Sequence, residues 1–141
     1  MKGFSLIEML VVLAIIGIIG SISMVTYNTM RKMGDVKHAA YVLVDSLKEA
    51  KNKAKMMEFD TDWGVNILTS DITVFSGSSY VSRDSVRDKI YDIPANLNIT
   101  GPTEIVFTKF TGLPASFGEI IFTNDFGTSS VNILPSGAVS Y

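Results

Sequence analysis

The chain has 141 residues, enough for one domain of ordinary size plus an appendage. Its net charge of -2 hides an uneven distribution: up to Met57 there are eight Lys/Arg against four Asp/Glu, and from Glu58 onward four against ten. An acidic downstream part is a poor partner for nucleic acid, whose binding rests on cationic contacts to phosphate. The absence of cysteine excludes disulfides, a thiolate nucleophile and Cys-ligated zinc.

The first element is apolar. From Met9 to Val25 the only polar side chains are Ser21 and Ser23, and extension back to Phe4 gives 22 residues. At ~1.5 Å per helical residue this run reaches roughly 33 Å, enough for a bilayer core of about 30 Å. A helix apolar all the way round needs lipid or a large protein about it, and this protein is small. A cleaved secretory signal is the rival reading, since "GSIS" offers small residues at Ser21 and Ser23 after the run. Glu8 argues against it, because a carboxylate only weakens insertion. Charge does not settle orientation: Lys2 and the amino terminus stand on one side, Arg31, Lys32 and Lys37 on the other. Ala14, Gly17 and Ser21 recur at spacings of three and four, a stripe along which another helix could approach closely.

Lys2-Gly3 followed by Phe4-Ser5-Leu6-Ile7-Glu8 and an unbroken apolar run resembles the class III leader of type IV pilins and type II secretion pseudopilins. The resemblance implies a leader of residues 1–3, cleavage between Gly3 and Phe4 by a membrane peptidase, and N-methylation of Phe4. It further implies a bacterial inner-membrane anchor with a cytoplasmic amino terminus and an exported head. The implied partners are other pilin or pseudopilin subunits, the prepilin peptidase/methylase and the assembly platform, with no cofactor. In this family the new amine at Phe4 meets the carboxylate of a neighbouring subunit, which gives Glu8 its role. Glu8, Ala14, Gly17 and Ser21 are then the assembly residues.

The pattern becomes amphipathic after Val25. Val36, Ala40, Leu43, Leu47, Ala50, Ala54 and Met57 fall at steps of four and three on one helical face, and Lys37, Lys48, Lys51 and Lys55 flank it about 100° away. One long helix is expected, its half over 26–57 covering a head at 58–141. The Lys flank reads as a solvated face, with pairing to the acidic head as the alternative. Gly34 and Thr26-Tyr27-Asn28-Thr29 weaken the helix and favour a bend there.

Strands are expected at 64–68, 72–75, 97–100, 104–107, 119–123, 131–134 and 138–141, and a short helix or loop at 82–91 before Pro94. A helix followed by many closely spaced strands reads as α+β with an antiparallel sheet. The segment from Glu104 to Tyr141, with Phe107, Gly112, Ile120-Ile121 and Gly137-x-Val139, resembles the carboxy-terminal region of H-type pseudopilins and FimT-like minor pilins. Ala138 stands where DNA-binding relatives commonly place a basic residue.

No catalytic constellation stands out. His38, the single histidine, lies about 200° from Val36, away from the apolar face. Asp60-Thr-Asp62-Trp-Gly64 departs from a calcium loop at Val65 and Asp71 and reads as an acidic turn. Asn98-Ile-Thr100 fits a glycosylation sequon but falls in an expected strand. The expected protein is a non-enzymatic filament subunit without a metal site, in type II secretion or a type IV pilus; a ligand-binding or DNA-uptake minor pilin is the alternative.

Overall fold

A computed structural model describes residues 3–141, and the side chains of all of these except residues 22–26 and 28. The first element, α1, is one helix of 50 residues, Leu6–Lys55, uninterrupted at Gly34. Eight strands follow: β1 Trp63–Ile67, β2 Asp71–Ser76, β3 Lys89–Asp92, β4 Asn98–Thr100, β5 Glu104–Phe107, β6 Gly118–Asn124, β7 Gly127–Ile133 and β8 Val139–Ser140. They form two four-stranded antiparallel sheets, ordered β3-β2-β1-β5 and β4-β6-β7-β8. The fold is the α+β arrangement of a long amino-terminal helix against an antiparallel β head.

Both sheets lean on the same helix. Val36, Ala39, Ala40, Leu43, Val44, Leu47, Ala50 and Ala54 are buried and form one core with Trp63, Val65, Ile67, Ile72, Val74, Ile105 and Phe107 of the first sheet. Ile120, Phe122, Val131 and Ile133 of the second sheet complete it. Alanine at four of the eight helical positions lets the strands come close, while leucine and valine fill the space between them. In the register of β1 against β2, Val65 faces Val74 and Ile67 faces Ile72, so each opposed pair turns to the same side. Gly64 faces Phe75 on the opposite side, where a Cβ would collide with the phenyl ring.

The apolar stripe ends one turn earlier than its spacing suggests. Met57 is exposed, because α1 stops at Lys55 and Met57 has left the helix with φ 53°. That left-handed residue, followed by Phe59 (φ 59°) and Asp60 (φ 53°), turns the chain sharply towards β1. The Trp63 indole then donates to the Glu58 carbonyl at 3.0 Å and closes the corner.

The Lys flank is divided. Lys37, Lys48 and Lys55 are exposed, but the Lys51 ammonium donates to the Gly137 carbonyl at 2.6 Å and ties the last turn of the head to the helix. Gly137 has φ 71° and abuts Lys51 and the Gly112 carbonyl, so both steric freedom and space call for glycine there.

Strand β3 lies where a helix or loop was expected; only Ser85–Arg87 makes a single 3₁₀ turn. Its Lys89 and Tyr91 side chains converge on Glu49 of α1. Tyr91 Oη donates to Glu49 Oε2 at 2.6 Å, the Lys89 ammonium lies 3.1 Å from the same oxygen, and Lys53 approaches Oε1 at 3.4 Å. Burial opposes ionisation of Glu49, but the Tyr91 hydrogen bond and the two ammonium groups outweigh it and hold its carboxyl below the ordinary value. A carboxyl with a lowered folded-state pKa contributes stability above its unfolded value, and that contribution is lost as pH falls through the folded value. Glu49→Gln is therefore expected to lower thermal stability at pH 7 and to flatten its decline over the acid side of the normal Glu range. Melting of the near-ultraviolet Trp63 signal between pH 7 and pH 3 measures both; parallel curves for variant and wild type would remove Glu49 from the account.

Candidate processing and assembly site

The amino-terminal residues expected to act together are drawn together by the start of a helix. Gly3, Phe4 and Ser5 precede α1 in non-helical chain, and Phe4 is 78% exposed. Nothing lies within 4 Å of the position a Cβ on Gly3 would take. The Gly3–Phe4 peptide bond thus stands free of the helix and open to an enzyme. Ser5 is the N-cap, with extended φ/ψ of -75° and 145°. Serine suits that position because its short polar side chain competes with helical hydrogen bonding and favours a cap.

Glu8 occupies the third position of the first turn. The Ser5 N–H donates to Glu8 Oε2 at 3.4 Å, and the Glu8 N–H donates to the Ser5 carbonyl at 3.0 Å. The carboxylate is therefore folded back towards the end of the chain, one residue from the nitrogen that cleavage at Gly3 would free. The positive end of the helix dipole favours a carboxylate here even before an amine exists. The cap role of Ser5 is written in the sequence as Ser followed three residues later by Glu, a capping-box spacing.

Ala14, Gly17 and Ser21 lie further along, all exposed on α1. A Cβ at Gly17 or Gly20 would meet nothing within 4 Å, so this stretch is open to another chain. Ser21 Oγ donates to the Ile18 carbonyl at 2.8 Å, which satisfies its hydroxyl within the helix. These three residues lie on the stripe but roughly 9 to 20 Å along the axis from Glu8, at ~1.5 Å per residue. They make a surface with it, not a single cluster.

Twelve large apolar side chains from Phe4 to Ile19 are exposed, on every side of the helix. Exposed apolar surface on that scale marks an interaction site for membrane or protein. Among the described residues no helix is long and apolar enough to cross a membrane. The described apolar part, Leu6 to Ser21, reaches only about 24 Å at ~1.5 Å per residue. The expected span from Phe4 to Val25 depends also on residues 22–25, whose side chains lie outside the described ones, as do Met1 and Lys2 of the leader.

Residues 1–24 match the prokaryotic N-terminal methylation motif. No curated protein and no solved structure matches the chain. The motif coincides with the Gly3-Phe4-Ser5-Glu8 arrangement and gives the chain an amino terminus of the type IV pilin-like kind.

In the head, the residues of the second resemblance are placed by packing. Phe107 and Ile120 are in the core, Gly112 has φ 62° and abuts the Lys55 side chain, and Gly137 sits over Lys51. His38 is exposed on the side of α1 away from the core. Asp60 and Asp62 direct oxygens at Lys109: Asp60 Oδ1 lies 3.0 Å from the ammonium, and Asp62 Oδ1 accepts the Lys109 N–H at 2.8 Å. Among the described residues no group of His, Cys, Asp or Glu could hold a metal ion.

Proposed function

We propose that this chain is a minor pilin or pseudopilin of the H-type/FimT-like kind, a structural subunit without enzymatic activity. It is cut after Gly3, methylated at Phe4 and assembled into a type II secretion pseudopilus or type IV pilus through α1. The observation that carries this reading is the accessible Gly3–Phe4 bond next to a carboxylate already turned towards it, within a matched methylation motif. Cleavage creates an ammonium where none existed, so processing itself supplies the counter-ion for Glu8. In the filament the ammonium of one subunit meets the carboxylate of its neighbour, and two charges costly in lipid become a pairing signal.

The partners on this reading are other pilin or pseudopilin subunits, the peptidase/methylase, the inner membrane and the assembly platform. The acidic balance of the head disfavours nucleic acid, and Ala138 after Gly137 removes the cation a DNA-binding relative would carry there. The single-pass orientation places the head on the exported side.

Intact-mass and amino-terminal analysis of the protein from its native host tests the reading. The expected mature chain begins at N-methylated Phe4 and retains the apolar helix. A chain beginning at Met24 would instead show an ordinary secretory signal. Gly3→Ala is expected to be cut in part, and Gly3→Val to accumulate uncut, because a branched side chain crowds the bond.

A further inference from the structure

Where α1 enters the head, two clefts share Lys32 and Asn96 as walls. One, of about 390 Å³, is bordered by Arg31, Lys32 and Asp35; the other, of about 250 Å³, by Lys32, Asn98 and Asp125. We propose that this base binds a phospholipid headgroup carrying a phosphate and a primary ammonium, in the leaflet from which the head emerges. The proposal rests on the membrane-anchored reading of the amino-terminal helix.

The site is pre-organised. Asn124 Nδ2 donates to the Lys32 carbonyl at 2.7 Å, and Asn124 Oδ1 accepts the Phe126 N–H at 2.9 Å. The turn between β6 and β7 is thereby fixed to the helix, and the Lys32 ammonium is held 4.7 Å from the centre of the Phe126 ring. Arg31 and Lys32 make no ion pair among the described residues, unlike Lys53, Arg83, Arg87, Lys89 and Lys109. Two cations outside any ion pair among the described residues thus border the clefts together with two carboxylates, Asp35 and Asp125. That balance suits a zwitterion: phosphate at Lys32, the cation both clefts share, with Arg31 beside it, and ammonium towards the carboxylate of either cleft, with the shared Asn96 carboxamide next to them. A purely anionic headgroup would leave the carboxylates opposed to it.

Depth agrees with this assignment. Arg31 stands six residues beyond Val25, about 9 Å along a helix, and the headgroup layer outside the hydrocarbon is roughly 5–7 Å deep. Long cationic side chains readily bridge the difference. Cations on the exported side also run against the positive-inside bias, so a favourable contact with lipid offsets an unfavourable placement.

Native mass spectrometry of the full-length chain, in detergent carrying equal amounts of phosphatidylethanolamine, phosphatidylcholine and phosphatidylglycerol, tests the proposal. The expected result is preferential retention of phosphatidylethanolamine, reduced about fivefold by each of Arg31→Ser and Lys32→Ser. Asp35→Asn with Asp125→Asn should abolish the preference over phosphatidylglycerol, Lys48→Ser should leave retention unchanged, and soluble phosphoethanolamine should compete. Equal retention of the three lipids overturns the site; displacement by inorganic phosphate as effective as by phosphoethanolamine would make it a free-phosphate site instead and overturn it too. Flotation with phosphatidylcholine vesicles separates the two readings. A chain that floats but shows no lipid preference loses only the headgroup site, whereas one that does not float loses the membrane reading and this proposal with it.

Discussion

A chain that begins at Glu58 is expected not to fold, and to aggregate, whereas one that begins at Arg31 is expected to be soluble, folded and monomeric. The shorter chain lacks eight buried apolar residues of the helix, among them Leu43, Leu47, Val36 and Val44. Burial of such a side chain contributes about 1.5–3 kcal/mol, so these four alone supply ~6–12 kcal/mol, comparable to the whole stability of a small domain. The inner faces of both sheets would then stand in water, from Val65 and Val74 to Phe122 and Ile133. Such a patch drives association. The two sheets share no strand, and α1 is the element that joins them. Its loss also removes the Lys51 bond to Gly137, the Glu49 bond to Tyr91, the Asn124 bond to Lys32 and the Phe110 N–H bond to the Ala54 carbonyl. Size-exclusion chromatography with near-ultraviolet dichroism of Trp63 compares the two fragments. Equal folding of both would show that α1 is a handle on the head and not half of its core.

Features written locally in the chain were legible, and those made by distant pairing were not. The helical face of Val36, Ala40, Leu43, Leu47, Ala50 and Ala54 follows from a spacing of three and four, and all six are buried. Met57 continues that arithmetic and fails, because arithmetic does not register the left-handed turn that ends the helix at Lys55. Five strands expected in the head lie within a residue or two of β1, β2, β4, β5 and β6; the one expected at 131–134 catches only the second half of β7, and the expected last strand is the two-residue β8. Strand β3 was missed: Lys-Ile-Tyr-Asp is short, charged at both ends and exposed, and it exists through its ladder with β2 and its contacts to Glu49 some 40 residues away. For the same reason Lys51 read as a solvated cation, since its acceptor at Gly137 lies 86 residues downstream. Division into two sheets is likewise a matter of partner choice, which no single strand declares. The proposed processing site is a local feature. Gly3, Phe4, Ser5 and Glu8 lie within six consecutive residues at the start of α1, so their spacing in the chain already brings them close.

That geometry carries the second large expectation, which concerns Glu8→Leu. This variant is expected to be made, inserted and cut, yet recruited poorly into filaments. An acidic residue at the centre of a membrane helix costs on the order of 2.5–3.5 kcal/mol on insertion scales, and less near an interface, so leucine should insert at least as readily. The substitution also removes the contact with the Ser5 N–H and the favourable charge in the first turn. These contributions are about 0.3–1 kcal/mol each at an exposed helix end, too little to unfold a 50-residue helix whose far half is held by the head. On the proposed function, what is lost in full is attraction for the Phe4 ammonium of a neighbour, a pair that lipid would screen poorly and that would form only after cleavage. Glu8→Gln can keep the hydrogen bond to Ser5 but carries no charge, and it should fail as the leucine variant does. Glu8→Asp keeps the charge on a shorter arm and should fall between. Co-purification of tagged variants with sheared filaments, alongside a membrane-fraction control and the mass of the mature chain, measures recruitment apart from insertion and cutting. Normal recruitment of Glu8→Leu would abolish the pairing role, and recruitment of Glu8→Gln but not Glu8→Leu would assign Glu8 to capping the helix instead.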